Sequence, residues 1–237
     1  MNEKMKGIVT VFVDIDDTLW WFTENSKLAL RHTFDAFDIS CVCTYERFKE
    51  VYLKKNLELW NLYHHGLIDK DFLVNERFRF TLKECGYKGD VEKMCHLLDE
   101  EYLRFLALQS TTIPGARQLL EYLVAKGYDV NTLSNGFQGT QQQKLISGGL
   151  SDLIHRNVLS DDCGITKPQR GIFDYALEQC GAEAATSVMI GDNPDADIKG
   201  AHDAGWRTIY FNIRGLDPIE GTADAVVTSL DEIQQIL

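Results

Sequence analysis

Four short polar clusters hold most of the chemistry open to this 237-residue chain. Asp14-Ile15-Asp16-Asp17-Thr18 closes a β-branched run, Ser134-Asn135-Gly136 closes a second predicted strand, Lys167-Pro168 follows a third, and Gly191-Asp192 is trailed by Asp195 and Asp197. Singly, each has an ordinary explanation: an aspartate at a strand end caps or turns the chain, Ser-Asn-Gly is turn chemistry, and a lysine before proline sits on a solvated loop. Together, at successive strand ends, they form a carboxylate-rich pocket with one lysine and one hydroxyl, which is costly without a compensating cation. All-oxygen ligation suits Mg²⁺, which keeps waters and substrate phosphate in its shell. Such a pocket fits phosphoryl transfer. One carboxylate can attack phosphorus and split a hard step into two. A second carboxyl two residues along shares its strand face and can protonate the leaving oxygen, then take a proton from water. Lysine and hydroxyl neutralise the phosphoryl oxygens as charge spreads.

In open parallel sheets ligands bind beyond the carboxyl ends of strands, so the elements must bring these clusters to one edge. Residues 8–14 read as a strand buried on both faces that ends abruptly in charge. After Pro114-Gly115 the pattern predicts helix 115–126, strands 128–133 and 156–160, helix 170–180, strand 187–191, helix 195–204 and strands 207–211 and 224–228. That alternation is the signature of a parallel sheet covered by helices, an α/β fold. From Asn25 to Leu108 the apolar spacing is helical throughout, with breaks at His65-Gly66 and from Gly86 to Asp90. The expected organisation is a core of residues 1–19 and 111–237 interrupted by an all-helical insert, 20–110.

The formal charge of −12 argues against nucleic acid polymers and anionic membranes as partners. Residues 20–110 hold 13 basic and 15 acidic side chains, so most of the excess lies outside the insert, as expected for two modules. With 44% hydrophobic residues and 4 prolines the composition is that of an ordinary globular enzyme, not a disordered chain. The early apolar run Ile8–Val13 is too short to span a membrane and no signal-peptide-like region precedes it, so a cytoplasmic location is expected. Six cysteines without a CxxC pair read as reduced, mostly buried thiols, and Cys41-Val-Cys43 lacks a second ligand pair at zinc spacing.

In order and spacing the four clusters resemble the motifs of the haloacid dehalogenase (HAD) superfamily, over essentially the whole chain. The resemblance implies a Rossmann-like core with a parallel sheet, and an inserted helical cap of the C1 type at 20–110. It implies Asp14 as nucleophile, Asp16 as general acid and base, and Lys167 as the bridge between nucleophile and phosphoryl group. Thr18, Ser134 and the Asn135 backbone amide would bind phosphate. Mg²⁺ would be held by Asp14, the Asp16 carbonyl and Asp192, with Asp197 in support. A narrower resemblance, to the pyrimidine 5′-nucleotidases of the superfamily, rests on Ser134-Asn-Gly-Phe137 with a Gln-rich turn at 141–143, on Lys167-Pro168 with the block 171–178, and on Leu59-Trp60, Tyr63, Gly66 and Arg77-Phe78. It departs at Asp17, often Glu in that group, whose side chain is expected to point away from the pocket.

The implied activity is Mg²⁺-dependent hydrolysis of pyrimidine nucleoside 5′-monophosphates through an aspartyl-phosphate. The alternatives are a phosphatase or phosphomutase for sugar phosphates or phosphoglycolate, a 2-haloacid dehalogenase, which needs neither Mg²⁺ nor Asp16, and a phospho-receiver, which needs no ninety-residue insert. Substrate choice is expected in the cap. Trp20 and Phe22 either stack on a base or close an apolar interface. Asn56 and Arg77 either reach a base or ribose, or lie on a solvated face or in a salt bridge of the cap. Trp60, Tyr63 and Phe78 read as cap core. Oligomeric state is left open by the sequence.

Overall fold

Four helices follow the first motif: α1 (Phe22–Ala36), α2 (Tyr45–His64), α3 (Lys70–Glu84) and α4 (Val91–Ala107). The computed structural model describes residues 4–237, and the chain divides into two units, Thr23–Gln109 and Met1–Phe22 with Ser110–Leu237. The helical unit has a break that the sequence does not advertise. Between α1 and α2 no glycine or proline occurs, yet the chain turns at Asp38, φ 50°, into a 3-10 turn over Ile39–Cys41. Aspartate tolerates this left-handed conformation because its short side chain bonds locally, here accepting from the Ser40 hydroxyl at 2.8 Å. The helix starts are conventional: Asp69 accepts from the Phe72 amide at 2.7 Å and Asp90 from the Lys93 amide at 3.0 Å.

Within this unit an aromatic core forms from all four helices. Tyr52 and Phe78 lie 4.6 Å apart between ring centroids, Phe78 and Tyr102 5.7 Å, and Phe34 and Phe48 5.4 Å. Phe78 is fully buried, as the sequence predicts, whereas Trp60 and Tyr63 are half-buried and pack on each other at 5.7 Å. Arg77 and Asp99 form an ion pair inside the bundle.

The other unit carries six strands: β1 (Thr10–Val13), β2 (Asp129–Ser134), β3 (Arg156–Leu159), β4 (Ser187–Gly191), β5 (Arg207–Phe211) and β6 (Ala225–Val227). All neighbours are parallel, in the order β3-β2-β1-β4-β5-β6. The chain builds outward from β1 to β3, then returns to the other side of β1 and builds to β6. The switch therefore lies between β1 and β4, where doubly wound sheets bind ligands. Val13 pairs with both Thr132 and Ile190, which sets Asp14 level with the ends of β2 and β4.

Helices α5 (Ala116–Ala125), α6 (Gln138–Ser147), α7 (Ser160–Cys163), α8 (Arg170–Cys180) and α9 (Gly200–Asp203) complete this unit. One core cluster joins Phe12, Leu133 and Met189 of the sheet to Ile172 and Phe173 of α8 and to Trp206. The Trp206 ring lies 4.6 Å from Phe12 and 5.4 Å from Phe173. On α5, Leu119, Leu120 and Leu123 are fully buried, the helical spacing the sequence predicts.

Two elements differ from expectation. The predicted helix 195–204 is a π-helical turn, Pro194–Lys199, running into the short α9. The Gln-rich turn at 141–143 is instead the middle of the ten-residue α6. Glutamine is a good helix former, but the buried face of α6 consists of Gln141, Lys144 and Leu145, so apolar periodicity is missing. Among the described residues, no helix is long and apolar enough to cross a membrane.

Candidate active site

The sheet brings the predicted clusters to one edge, around Asp14. This residue follows β1, its amide donates to the Ile190 carbonyl at 2.9 Å, and it is buried. Lys167 Nζ donates to Asp14 Oδ1 at 2.6 Å, to the Leu133 carbonyl at 2.6 Å and to Asp197 Oδ1 at 2.7 Å, one acceptor for each ammonium proton. Asn135 sets the lysine in place: its Nδ2 donates to the Lys167 carbonyl at 2.9 Å and its Oδ1 accepts from the Lys167 amide at 2.7 Å. Asp197 is braced in turn, its Oδ2 accepting from the Asn193 amide at 3.0 Å. The Asn193 side chain caps the π-helical turn by accepting from the Asp195 and Ala196 amides, each at 3.0 Å.

Glycine at the end of β4 is a steric necessity, because a Cβ on Gly191 would overlap the Asp197 carboxylate. Gly191→Ala is therefore expected to cost about 1–3 kcal/mol of stability and to lower turnover by displacing Asp197 and with it Lys167. Urea unfolding and an activity assay check this, and wild-type values in both would contradict the packing.

The electrostatics follow from burial. Desolvation pushes the Asp14 carboxyl up to about 7; Lys167 opposes the rise and Asp197 adds to it. Asp192 is also raised well above the carboxylate range, first by burial, against the pull of Arg214. Burial alone would lower Lys167, but Asp14 and Asp197 outweigh it and hold the ammonium above its ordinary value. Asp14, Asp192 and Asp197 each offer a carboxylate oxygen within 4.8 Å of the others.

The remaining predicted residues fall into place unevenly. The Ser134 hydroxyl oxygen accepts from Gln141 Nε2 at 2.6 Å and from the Gly136 amide at 3.3 Å. Thr18 is fully enclosed and its hydroxyl faces Asp192 Oδ1 at 3.5 Å, so it braces a carboxylate rather than opening toward a phosphate. Asp17, expected to face away, is buried at φ 59°, and its charge is felt at both Asp192 and Arg214. Trp20 is wholly buried, with Lys144 Nζ 4.8 Å from the centre of its ring, so it has no face for a base; Phe22 is half-buried against the same lysine at 5.2 Å. Of the two cap candidates, Arg77 takes the cap-internal alternative with Asp99, and Asn56 is buried on α2. All six cysteines are free thiols, but against expectation only Cys95 is buried; Cys41 is exposed and Cys43, Cys85, Cys163 and Cys180 are half-buried.

A family model for haloacid dehalogenase-like hydrolases matches residues 8–205. The chain belongs to this family. This HAD hydrolase is 33% identical over 229 residues to the pyrimidine 5′-nucleotidase YjjG of Escherichia coli (strain K12), covering 96% of each chain. It is 30% identical over 205 residues to the pyrimidine 5′-nucleotidase PynA of Streptococcus pneumoniae (strain ATCC BAA-255 / R6), covering 86% of this chain and 84% of the relative. The magnesium-bound crystal structure of the HAD-hydrolase YfnB from Bacillus subtilis matches with a TM-score of 0.87 at 32% identity, covering 98% of this chain and 99% of that one. The fold is thus the HAD Rossmann-like fold, and the chain is an enzyme of the family's phosphatase type.

Three further residues of this HAD hydrolase, none of them in the four polar clusters, reach the site. Arg214, in the loop after β5, ion-pairs with Asp192 Oδ2. Lys144 and Gln141, one helical turn apart on α6, both donate to the Asp16 carboxylate. The groups that bond the Asp16 carboxylate are thus an ammonium and an amide. The available signal was the i, i+3 spacing of Gln141 and Lys144, which puts both on one helix face.

Proposed function

We propose that this HAD hydrolase is a Mg²⁺-dependent phosphomonoesterase that cleaves pyrimidine nucleoside 5′-monophosphates through an acyl-phosphate on Asp14. The observation that carries the chemistry is the buried Asp14 carboxylate bonded to Lys167, with Asp192 and Asp197 beside it. The relatives named pyrimidine 5′-nucleotidases support the nucleotide.

The donor set fits magnesium: hard oxygens, buried, with burial holding two of the carboxyls above their usual range. Asp14 and Asp192 would hold the ion through carboxylates and Asp16 through its carbonyl. Asp197, whose two oxygens already accept from Lys167 and the Asn193 amide, would act in support. Bound there, the ion supplies positive charge beside the phosphoryl oxygens.

In the first step a lone pair of Asp14 forms a P–O bond as the ester P–O bond breaks. The ester electrons pass to the leaving 5′ oxygen, which takes a proton from Asp16 in its carboxylic-acid form and leaves it a carboxylate. Water then attacks phosphorus and gives a proton to Asp16, and the bond to Asp14 breaks with its electrons returning to the carboxylate. Lys167 supplies fixed charge to the phosphoryl group. Because the Ser134 oxygen already accepts from Gln141 and Gly136, its own proton points to a further acceptor, which in the complex is a phosphoryl oxygen.

A pH dependence follows from Asp14. Folded, it keeps its proton up to about 7; unfolded, it releases it in the ordinary carboxylate range. The folded state therefore holds more protons between about pH 4 and pH 7, and stability falls as pH rises through that window. Asp192 acts in the same sense. In EDTA the melting temperature is expected to fall between about pH 5 and pH 8, and Mg²⁺ to raise it more at the higher pH, where it no longer competes with protons. Scanning calorimetry with and without Mg²⁺ checks this; a Mg²⁺ increment equal at both pH values would contradict it.

The activity is tested by phosphate release with Mg²⁺ from UMP, dUMP and dTMP against sugar phosphates and phosphoglycolate at equal concentration. Faster turnover of the nucleotides is expected. Activity on sugar phosphates alone would keep the mechanism and remove the nucleotide, and no release from any ester would overturn the phosphatase.

A further inference from the structure

Lys144 is a desolvated cation that none of the four motifs uses. Its side chain is 4% exposed, and its Nζ lies 2.7 Å from Asp16 Oδ1 and 3.0 Å from Oδ2. The rings of Trp20 and Phe22 flank the ammonium at 4.8 and 5.2 Å, and aromatic faces attract a cation while denying it water. One turn earlier, Gln141 Nε2 donates to Asp16 Oδ2 at 3.0 Å and to Ser134 Oγ at 2.6 Å. This amide is closely lodged: its own carbonyl oxygen is buried without a partner, and a Cβ on Gly136 would overlap it. Burying an ammonium and leaving an amide oxygen unpaired both cost stability. Ordinary packing would favour leucine or methionine at these positions of α6. The polar pair converges instead on one carboxylate, the half-buried Asp16, whose side chain is 30% exposed.

We propose that Lys144 and Gln141 are positioning residues that fix the Asp16 carboxylate toward the leaving oxygen. Lys144 holds both carboxylate oxygens, with Trp20 and Phe22 fixing the ammonium. Gln141 ties the carboxylate to the Ser134 hydroxyl, so that the proton-transfer group and the phosphate-binding group keep one spacing. Without the pair, a carboxylate so open to solvent turns among several rotamers, and positional loss of this kind lowers rate strongly. The inference rests on Asp16 being the general acid and base.

The test compares kcat/KM, which reports the steps through the first phosphoryl transfer, on two esters. One is UMP, or the fastest sugar phosphate if the panel above favours those; its alkoxide needs a proton to leave. The other is p-nitrophenyl phosphate, whose phenolate leaves without one. Lys144→Met keeps the apolar stem between the rings, and Gln141→Leu removes the amide at similar volume. Asp16→Asn serves as reference. Lys144→Met is expected to lose about a hundredfold on the alkyl ester and less than about fivefold on the aryl ester, with Lys144→Arg recovering part of the loss; Gln141→Leu, which also releases Ser134, is expected to lose on both esters, with the larger loss on the alkyl one. A general loosening of the fold would lower both esters together, and melting temperatures confirm that the variants are folded. If Asp16→Asn shows the selectivity but Lys144→Met and Gln141→Leu lose both esters equally, or neither, the positioning role is overturned and the acid–base role of Asp16 stands. If Asp16→Asn itself loses both equally, the acid–base assignment fails and the positioning role with it.

Discussion

Asp14→Asn is expected to lower phosphate release by about ten-thousandfold or more, corresponding to at least about 5 kcal/mol of transition-state stabilisation. An amide keeps the shape and still accepts from Lys167, but it is not a nucleophile, and removing the nucleophile removes both chemical steps. The fold should not suffer. Burial makes the ionised Asp14 carboxylate unfavourable, and Lys167 retains Asp197 as its charged partner. Metal-free Asp14→Asn should therefore melt no lower than the wild type above about pH 7, where the native carboxylate is forced to ionise. Turnover within tenfold of wild type would remove Asp14 as nucleophile, and a large drop in melting temperature would contradict the electrostatic description of the site.

Lys167→Met carries the largest expected stability effect, about 3–5 kcal/mol. Lys167 is 1% exposed and its three donors satisfy Asp14, Asp197 and the Leu133 carbonyl. Methionine fills much of the volume but leaves two buried carboxylates facing each other with the nearest cation removed. Part of the loss should be recovered by Mg²⁺, which, held by Asp14 and Asp192, would return positive charge to the cluster. Combining Lys167→Met with Asp14→Asn should cost less than the sum, because the amide relieves one of the stranded charges. Urea unfolding of the four proteins measures both quantities. A single-variant cost under about 1 kcal/mol would show that Lys167 is not the charge holding this cluster together.

Much of the site was legible because it sits where the chemistry of the strands changes. The β1 run is apolar to Val13 and acidic at once after it, β4 changes as sharply at Gly191-Asp192, and β2 runs into the turn-forming Ser134-Asn135-Gly136. In a parallel sheet such endings share one edge by topology, so their meeting needs no knowledge of the packing. The predicted cap breaks at His65-Gly66 and Gly86 were equally visible, because glycine there adopts positive φ.

What escaped was set by tertiary partners. The helix α6 buries glutamine and lysine toward Asp16, so the periodicity that betrays an amphipathic helix is absent. The turn at Asp38 uses aspartate where glycine would have marked it. Arg214 reaches Asp192 from a loop 22 residues away, with nothing local to separate it from a solvated arginine. Trp20 next to the first motif is equally compatible with stacking on a ligand and with packing; only its complete burial against Lys144 decides. Arg77 is placed inside the helical unit only once Asp99, on the next helix, is seen beside it.

The acyl-phosphate on Asp14 is most directly tested by rapid acid quench of the enzyme with Mg²⁺ and UMP carrying a radiolabelled phosphate, in the wild type, Asp16→Asn and Asp14→Asn. Label is expected on the protein, labile to hydroxylamine as an acyl-phosphate is, on the peptide containing Asp14, and absent from Asp14→Asn. Phosphate release with no label on the wild type or on Asp16→Asn, or label that persists in Asp14→Asn, would contradict covalent catalysis by Asp14.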